Sequence, residues 1–414
     1  MKSEIIAVGS ELLTPFRQDT NSLYLTEKLN EIGVDVTFKT IVGDRHRDLV
    51  SAVRIALGRA DIIAIMGGLG PTEDDLSREA VAEALSLTLR RDSSLVVALA
   101  ARFAQRRLQM TDNNLKQADV IQGAVVLPNP NGTAVGLWLD TQFGGHRKLV
   151  MLVPGPPNEC KPLFANECIP RLREILPVRH IAKRVLKATM IPEATADALV
   201  APIYTKYKDV ETTILAGNFE IQLQLFCARP TLEAAQQRVD ELATRLEEAL
   251  DQHLFSSAGE SLEQIVLYYL EMKQETLAVA ESCTGGLMAQ RLTSISGSSR
   301  SFLGGAVVYS NKLKTDFANV PPELIETHGA VSAEVAEAMA RGIRQRVGSS
   351  IGVGITGIAG PGGGTPEKPV GLVYIAVSDK QKTESLVCNF RGDRERIRQW
   401  SAQQALDLVR RRLM

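Results

Sequence analysis

The chain has 414 residues, 44% hydrophobic and 23% charged, with 47 Lys and Arg against 48 Asp and Glu and a net charge of −1. At roughly 100–200 residues per domain, that length predicts two to four domains, each able to bury a core. The composition excludes a disordered chain, the charge balance argues against a dedicated nucleic-acid binder, and no apolar run is long enough to read as a membrane span. Five cysteines without a Cys-x-x-Cys spacing, and five scattered histidines, argue against a disulfide framework and a Cys/His zinc site. They suit a reducing cytoplasm, and any divalent metal would have to sit on carboxylates.

The N-terminus reads as a first strand at 5–8, not as a signal peptide. A helix at 21–32, a strand at 34–40, a helix at 48–59 and a buried strand at 62–66 follow. The last runs into Gly67-Gly68-Leu69-Gly70-Pro71, then a helix at 77–85. A strand at 149–153 closes this first stretch. Strand–helix alternation of this kind predicts a parallel sheet covered on both faces.

Between 177 and 254 the pattern changes to a small α+β module. A strand is expected at 184–191, a helix at 193–207 and a strand at 220–228 with Ile221, Leu223, Leu225 and Cys227 on one face. An amphipathic helix at 232–253 ends it. The module shows no catalytic grouping, so a spacer or dimerisation role outranks RNA binding. Residues 255–261 read as a linker. Beyond it a second α/β unit is expected, with a helix at 262–273 and strands at 276–280, 304–309, 351–356, 373–377 and 385–390. A Gly/Pro-rich loop spans 357–371, and a terminal helix starts near Asp393. The fold class is α/β: two α/β domains, at 1–172 and 258–414, joined by the α+β module.

Ser282 lies where a strand stops and a helix starts, followed by Thr284, Gly285 and Gly286. Such a turn exposes a hydroxyl and aims backbone N–H groups at the same spot, as acyl transfer needs. A serine needs a base. Lys312 and Lys314, beside Tyr309, are candidates, because a desolvated lysine loses its proton more easily. Each piece also has a plain structural reading: Ser282 as a helix cap, Cys283 as a small core residue or a rival nucleophile, and the lysines as surface charges. The loop holding Gly357 and Gly360 follows a buried strand, where backbone can approach a ligand.

In the first domain, Gly67, Gly68, Gly70 and Thr72 form a phosphate-type loop at a helix N-terminus. The acidic trio Glu73, Asp74 and Asp75 would repel a bare phosphate unless a divalent cation stood between them, which makes metal-assisted attack on a pyrophosphate the natural chemistry. Glu11, Asp19, Asp44 and Glu159 sit at other strand ends or in loops and could converge there. Asp74 and Asp75 equally suit the dipole of a first helical turn.

Ala280-Glu281-Ser282-Cys283-Thr284-Gly285-Gly286, Tyr309-Ser310-Asn311, His328-Gly329-Ala330-Val331-Ser332, Gly357-Ile358-Ala359-Gly360-Pro361 and Lys368-Pro369-Val370-Gly371 together resemble the CinA C-terminal family. That family includes the nicotinamide mononucleotide deamidase PncC. The resemblance implies hydrolysis of nicotinamide mononucleotide to nicotinate mononucleotide and ammonia, with no cofactor. Ser282 matches the nucleophile, and Tyr309 with a nearby lysine the activating groups. Lys314 is preferred to Lys312 because the family places a lysine five after the tyrosine. Thr356 matches a residue lining the site, and Arg394 a phosphate contact.

Gly9-Ser10-Glu11-Leu12-Leu13, Asp19-Thr20-Asn21-Ser22, the Gly67–Asp75 motif and Pro154-Gly155-Pro156-Pro157 with Glu159 resemble the CinA N-terminal domain. That domain shares the fold of the molybdopterin-binding proteins MogA and MoeA. This resemblance implies ADP-ribose pyrophosphatase activity with a divalent metal on Asp74, Asp75, Asp44, Glu159 and Glu11, and Asn21 among the substrate contacts. Thr14-Pro15-Phe16-Arg17 departs from the family's more glycine-rich stretch. Two enzymes acting on NAD breakdown products imply nucleotide salvage by a cytoplasmic homodimer, with no membrane or direct nucleic-acid partner. The alternatives are a molybdopterin-handling protein and a non-enzymatic competence or DNA-damage scaffold.

Overall fold

A computed structural model describes residues 1–177, 180–217 and 219–414. They divide into two compact units, residues 1–181 with 228–235, and residues 182–227 with 236–414.

The first unit holds a six-stranded sheet in the order Asp35–Val42, Lys2–Val8, Ile62–Met66, His146–Val153, Gly136–Phe143, Val125–Leu127. The first four strands are parallel. The last two are antiparallel and extend the expected parallel sheet into a mixed one. Ile62–Met66 is buried along its whole length, as a parallel strand covered on both faces must be. Ile63 and Ile65 pack with helices His46–Arg59 and Ser77–Leu85. Ile62, Ala64 and Met66 face the other way, toward Leu25 and Leu29 of helix Asn21–Asn30. The C-terminal ends of Lys2–Val8 and Ile62–Met66 lie side by side. Loops from two adjacent parallel strands therefore open at one place, the usual position of a site in an open α/β sheet. A helix not foreseen in the sequence, Ser93–Gln105, is capped by Asp92, whose side chain accepts from the Ser94 and Leu95 N–H groups.

The middle module forms a four-stranded sheet ordered Glu211–Gly217, Glu220–Arg229, His180–Thr189, Leu254–Ser256. Ile221, Leu223, Leu225 and Cys227 are buried, as their alternation predicts. The apolar stripe of helix Leu232–Leu250, with Val239, Leu242 and Leu246, is buried within the chain itself. The expected linker begins inside a strand, because Leu254–Ser256 pairs antiparallel with His180–Thr189. Helix Arg394–Leu413 ties this region down: Arg410 donates to the Leu254 carbonyl at 2.9 Å, and Gln403 to the Thr189 hydroxyl at 2.8 Å.

The C-terminal sheet runs Phe302–Val307, Leu277–Glu281, Ile351–Gly357, Leu372–Ser378, Thr383–Asn389. Its first three strands are parallel and its last two antiparallel. Helices Leu262–Met272 and Arg394–Leu413 pack on one face and helix Ala333–Val347 on the other. Gly352 and Gly354 let that helix approach, since a Cβ at either would run into the carbonyl oxygens of Ala340 or Ala336. No helix among the described residues is long and apolar enough to cross a membrane.

Candidate functional sites

Strand Leu277–Glu281 delivers Ser282 at its end, 7% exposed, with its N–H bonded to the Ile355 carbonyl at 2.9 Å. Helix Asn311–Ala318 begins next door, capped by the Ser310 side chain. Lys312 and Lys314 are two residues apart on it, so about 200° of helical rotation separates them and only one can face the sheet. Lys314 turns inward. It is 2% exposed, and its Nζ donates to Ser282 Oγ at 3.0 Å, to the Val308 carbonyl at 3.0 Å and to the Tyr309 carbonyl at 3.5 Å. Burial pushes the Lys314 pKa below the ordinary lysine value. Lys312 turns outward, exposed and paired with Asp316 at 2.5 Å, which removes it from the site.

Ser282 and Lys314 share a cavity of about 190 Å³ with Cys283, Tyr309, Asn311, Ala330, Val331, Thr356, Gly357, Ala359 and Arg394. Thr356 is fixed through its hydroxyl to the Ala330 carbonyl at 2.7 Å. Tyr309 stands exposed at the rim, and its hydroxyl accepts from Arg394 at 3.0 Å. That oxygen makes no hydrogen bond to Ser282 or Lys314. Its own O–H stays available to donate. Arg394 also donates to the Gly360 carbonyl at 2.7 Å, so it pins the glycine-rich loop to the tyrosine. Cys283 is buried, and burial pushes its thiol up to about 12, which removes it as a nucleophile near neutral pH.

The turn after Ser282 differs from expectation. The N–H groups of Gly286, Met288 and Ala289 donate to the buried Glu281 carboxylate at 3.0, 3.2 and 2.8 Å. They satisfy that carboxylate and are not aimed at a substrate oxygen. Thr284, Gly285, Gly286 and Gly360 are not among the residues lining the cavity. Glu281 is the residue the sequence reading missed, although it stands in the motif beside Ser282.

A second cavity of about 580 Å³ opens at the C-terminal ends of the first unit's parallel strands. It brings together Glu11, Asp19, Asn21, Asp44, Gly67, Gly68, Gly70, Thr72, Asp74, Asp75 and Glu159, all singled out from the sequence, and adds Arg17, Gln117 and Thr133. Three of the carboxylates accept hydrogen bonds within the protein. Asp44 accepts from the Ser10 N–H at 2.7 Å, Asp75 from the Thr72 N–H at 2.9 Å and also from its hydroxyl, and Glu159 from Asn129 at 2.7 Å. No three acidic, His or Cys side chains among the described residues stand close enough to hold a metal ion. The predicted metal ligands thus share a cavity without forming a coordination cluster.

Residues 259–413 match the family model of the CinA C-terminal domain, and residues 4–174 that of a probable molybdopterin binding domain. A CinA-like protein of Acidobacterium capsulatum is 64% identical over 414 residues, covering 100% of both chains. The chain belongs to the CinA family. A putative competence-damage inducible protein of Moorella thermoacetica is 44% identical over 415 residues, covering 100% of this chain and 99% of its own. Among solved structures, the competence/damage inducible protein CihA of Agrobacterium tumefaciens shares 38% identity, with a TM-score of 0.35 over 36% of this chain and 91% of its own. Ser282, Lys314, Tyr309 and Thr356 fall within the CinA C-terminal match, and the 580 Å³ cavity is lined from the molybdopterin-type match.

Proposed function

We propose that the C-terminal domain hydrolyses the carboxamide of nicotinamide mononucleotide to nicotinate mononucleotide and ammonia. The observation that carries this reading is the 3.0 Å contact between the buried Lys314 Nζ and Ser282 Oγ. A neutral Lys314 keeps two N–H bonds, to the Val308 and Tyr309 carbonyls, and turns its lone pair on the Ser282 hydroxyl. Ser282 Oγ attacks the amide carbon while Lys314 takes its proton. The tetrahedral intermediate collapses as Lys314 returns that proton to the departing nitrogen, which leaves as ammonia. Water then hydrolyses the acyl ester by the same base and frees Ser282.

The cavity is smaller than the roughly 300–1,000 Å³ of a pocket that swallows a whole small ligand. It takes the amide and its ring, and the ribose phosphate stays at the rim beside Tyr309 and Arg394. The test is ammonia release from nicotinamide mononucleotide in EDTA by the full-length protein, with Ser282→Ala as control. Release that the substitution abolishes supports the reading. Equal release by the variant refutes it.

We propose ADP-ribose as the substrate of the N-terminal cavity, where the glycine-rich loop at the strand ends supports the reading of a nucleoside diphosphate. The family resemblance implies its hydrolysis to AMP and ribose 5-phosphate with a divalent metal. The carboxylates as placed do not form a metal cluster, so no step through a metal is derived. AMP release from ADP-ribose with and without EDTA tests this. Both substrates derive from NAD, so the joint role is recycling of the pyridine nucleotide.

A further inference from the structure

Attack by Ser282 on an amide puts negative charge on the former carbonyl oxygen, and that oxygen needs hydrogen-bond donors fixed in advance. The turn that carries the nucleophile supplies few. The Ser282 N–H is bonded to the Ile355 carbonyl at 2.9 Å, and the Gly285 N–H to the Ser282 carbonyl at 3.1 Å. Those of Gly286, Met288 and Ala289 serve the Glu281 carboxylate, whose charge already occupies the helix N-terminus that would otherwise favour an anion. Of this turn, only the Cys283 N–H belongs to a cavity-lining residue and has no backbone acceptor among the described residues. An oxyanion hole built on the residue after the nucleophile takes its second donor from another segment.

The side chains of the wall point to that donor. Thr356 gives its hydroxyl proton to the Ala330 carbonyl at 2.7 Å. Arg394 is held at the rim by the Gly360 carbonyl and the Tyr309 hydroxyl. The Lys314 amine spends N–H bonds on the Val308 and Tyr309 carbonyls. Asn311 is different. It lines the cavity, it is exposed, and its amide makes no hydrogen bond within the protein among the described residues. On helix Asn311–Ala318 it stands three residues before Lys314, one turn away on the same face. The cap of that helix is Ser310, which accepts from the Leu313 N–H at 3.2 Å, so the Asn311 amide is not needed to start it.

We propose that Asn311 is a further catalytic residue, whose Nδ2–H donates to the carboxamide oxygen of the substrate and, with the Cys283 N–H, holds the oxyanion. As Ser282 Oγ bonds to the amide carbon, the carbonyl π pair moves onto that oxygen, where the two donors meet it. When the pair re-forms the double bond, the C–N bond breaks and the nitrogen leaves as ammonia with the proton from Lys314. Asn311 itself transfers no proton. A neutral donor also suits its neighbour, because a carboxylate at this position would hold Lys314 in its protonated form. The proposal rests on the reading of this cavity as the deamidase site and adds the group that stabilises its transition state.

The test is steady-state ammonia release from nicotinamide mononucleotide across pH, by the full chain and its Asn311→Ala and Asn311→Asp variants. Asn311→Ala should lower kcat by about 10²–10³-fold, the loss of one oxyanion donor, with KM changed by less than about threefold. Its melting temperature and the rising pH limb set by Lys314 should stay where they are. Asn311→Asp keeps the shape without the donor. Its plateau should be as low, and its limb should move to higher pH. Wild-type kcat in Asn311→Ala overturns the proposal, and so does a loss confined to KM, which marks ground-state binding alone. A melting temperature that falls in step with kcat overturns it too, as does an Asn311→Asp as active as the wild type. The two claims separate in the same assay. Release by the wild type with an undiminished Asn311→Ala sinks the oxyanion donor only, whereas no release by the folded wild type sinks the deamidase reading and the donor with it.

Discussion

Glu281 and Ser282 are adjacent in sequence and divide one turn between them. The Glu281 carboxylate lies beneath the turn and accepts from the N–H groups of Gly286, Met288 and Ala289, while Ser282 faces the cavity and meets Lys314. The carboxylate thus caps the helix that starts at Leu287 and fixes the turn that presents the hydroxyl. Glu281→Gln keeps one acceptor oxygen and turns an amide N–H toward a backbone N–H. It should cost about 1.5–3 kcal/mol, the worth of a buried charge-assisted bond. Urea unfolding followed by Trp400 fluorescence in a Trp138→Phe background measures it. A change below about 0.5 kcal/mol would show that the cap is not structural.

Lys314→Met removes the base while nearly preserving volume. Ammonia release should fall by about 10²–10⁴-fold, the usual contribution of general base catalysis. Lys312→Ala should leave the rate within about twofold, because Lys312 pairs with Asp316 outside the cavity. Matched losses in both variants would refute the assignment of Lys314.

The choice between these lysines was open to reasoning from helical periodicity alone, since two residues apart on a helix means opposite faces. Ser282 and the cavity-lining glycines of the first unit were legible because strand ends and turn glycines mark sites in α/β sheets, whereas Thr356 was expected only from the family resemblance. Glu281 was not. A carboxylate at a strand end carries no local sign that it will fold back onto N–H groups five to eight residues later. Leu254–Ser256 escaped because three residues are too few to show alternation, and the Ser/Gly tract beside them suggests a linker. The antiparallel strand Gly136–Phe143 has buried and exposed halves, so it follows neither strand pattern cleanly. The glycine-rich loop was visible, but the contacts that Arg78 and Lys116 make to its Leu69 and Thr72 carbonyls depend on the fold.

Activity should rise with pH. The working form of Lys314 is the neutral amine, and burial lowers its pKa, so the rising limb of kcat/KM should have its midpoint below the ordinary 10.5. Stability follows the same sign. Between the folded and unfolded pKa values of Lys314 the unfolded chain binds more protons, so stability rises with pH in that window. Lys314→Met should remove that contribution. A limb centred at or above 10.5 would contradict a desolvated base.

Cys283→Ala should keep most of the deamidase activity, and iodoacetamide at neutral pH should inactivate slowly. The thiol, pushed up to about 12 by burial, is almost wholly protonated there. Rapid inactivation protected by nicotinamide mononucleotide would revive the rival nucleophile.

Tyr309→Phe separates two roles for the rim hydroxyl. In the structure that hydroxyl accepts from Arg394 at 3.0 Å and keeps its own O–H free, with no bond to Ser282 or Lys314. Removing it at an exposed position should change stability by less than about 0.5 kcal/mol. If the O–H donates to the substrate, kcat/KM should fall by about 10–100-fold, the loss of one well-placed donor, and the pH limb set by Lys314 should stay where it is. If instead the tyrosine relays the serine proton, the limb itself should move, because the base seen by Ser282 would change. A pH profile of the variant beside the wild type therefore tells a donor at the rim from a member of the proton path, and an unshifted limb with a lower plateau is the expected result.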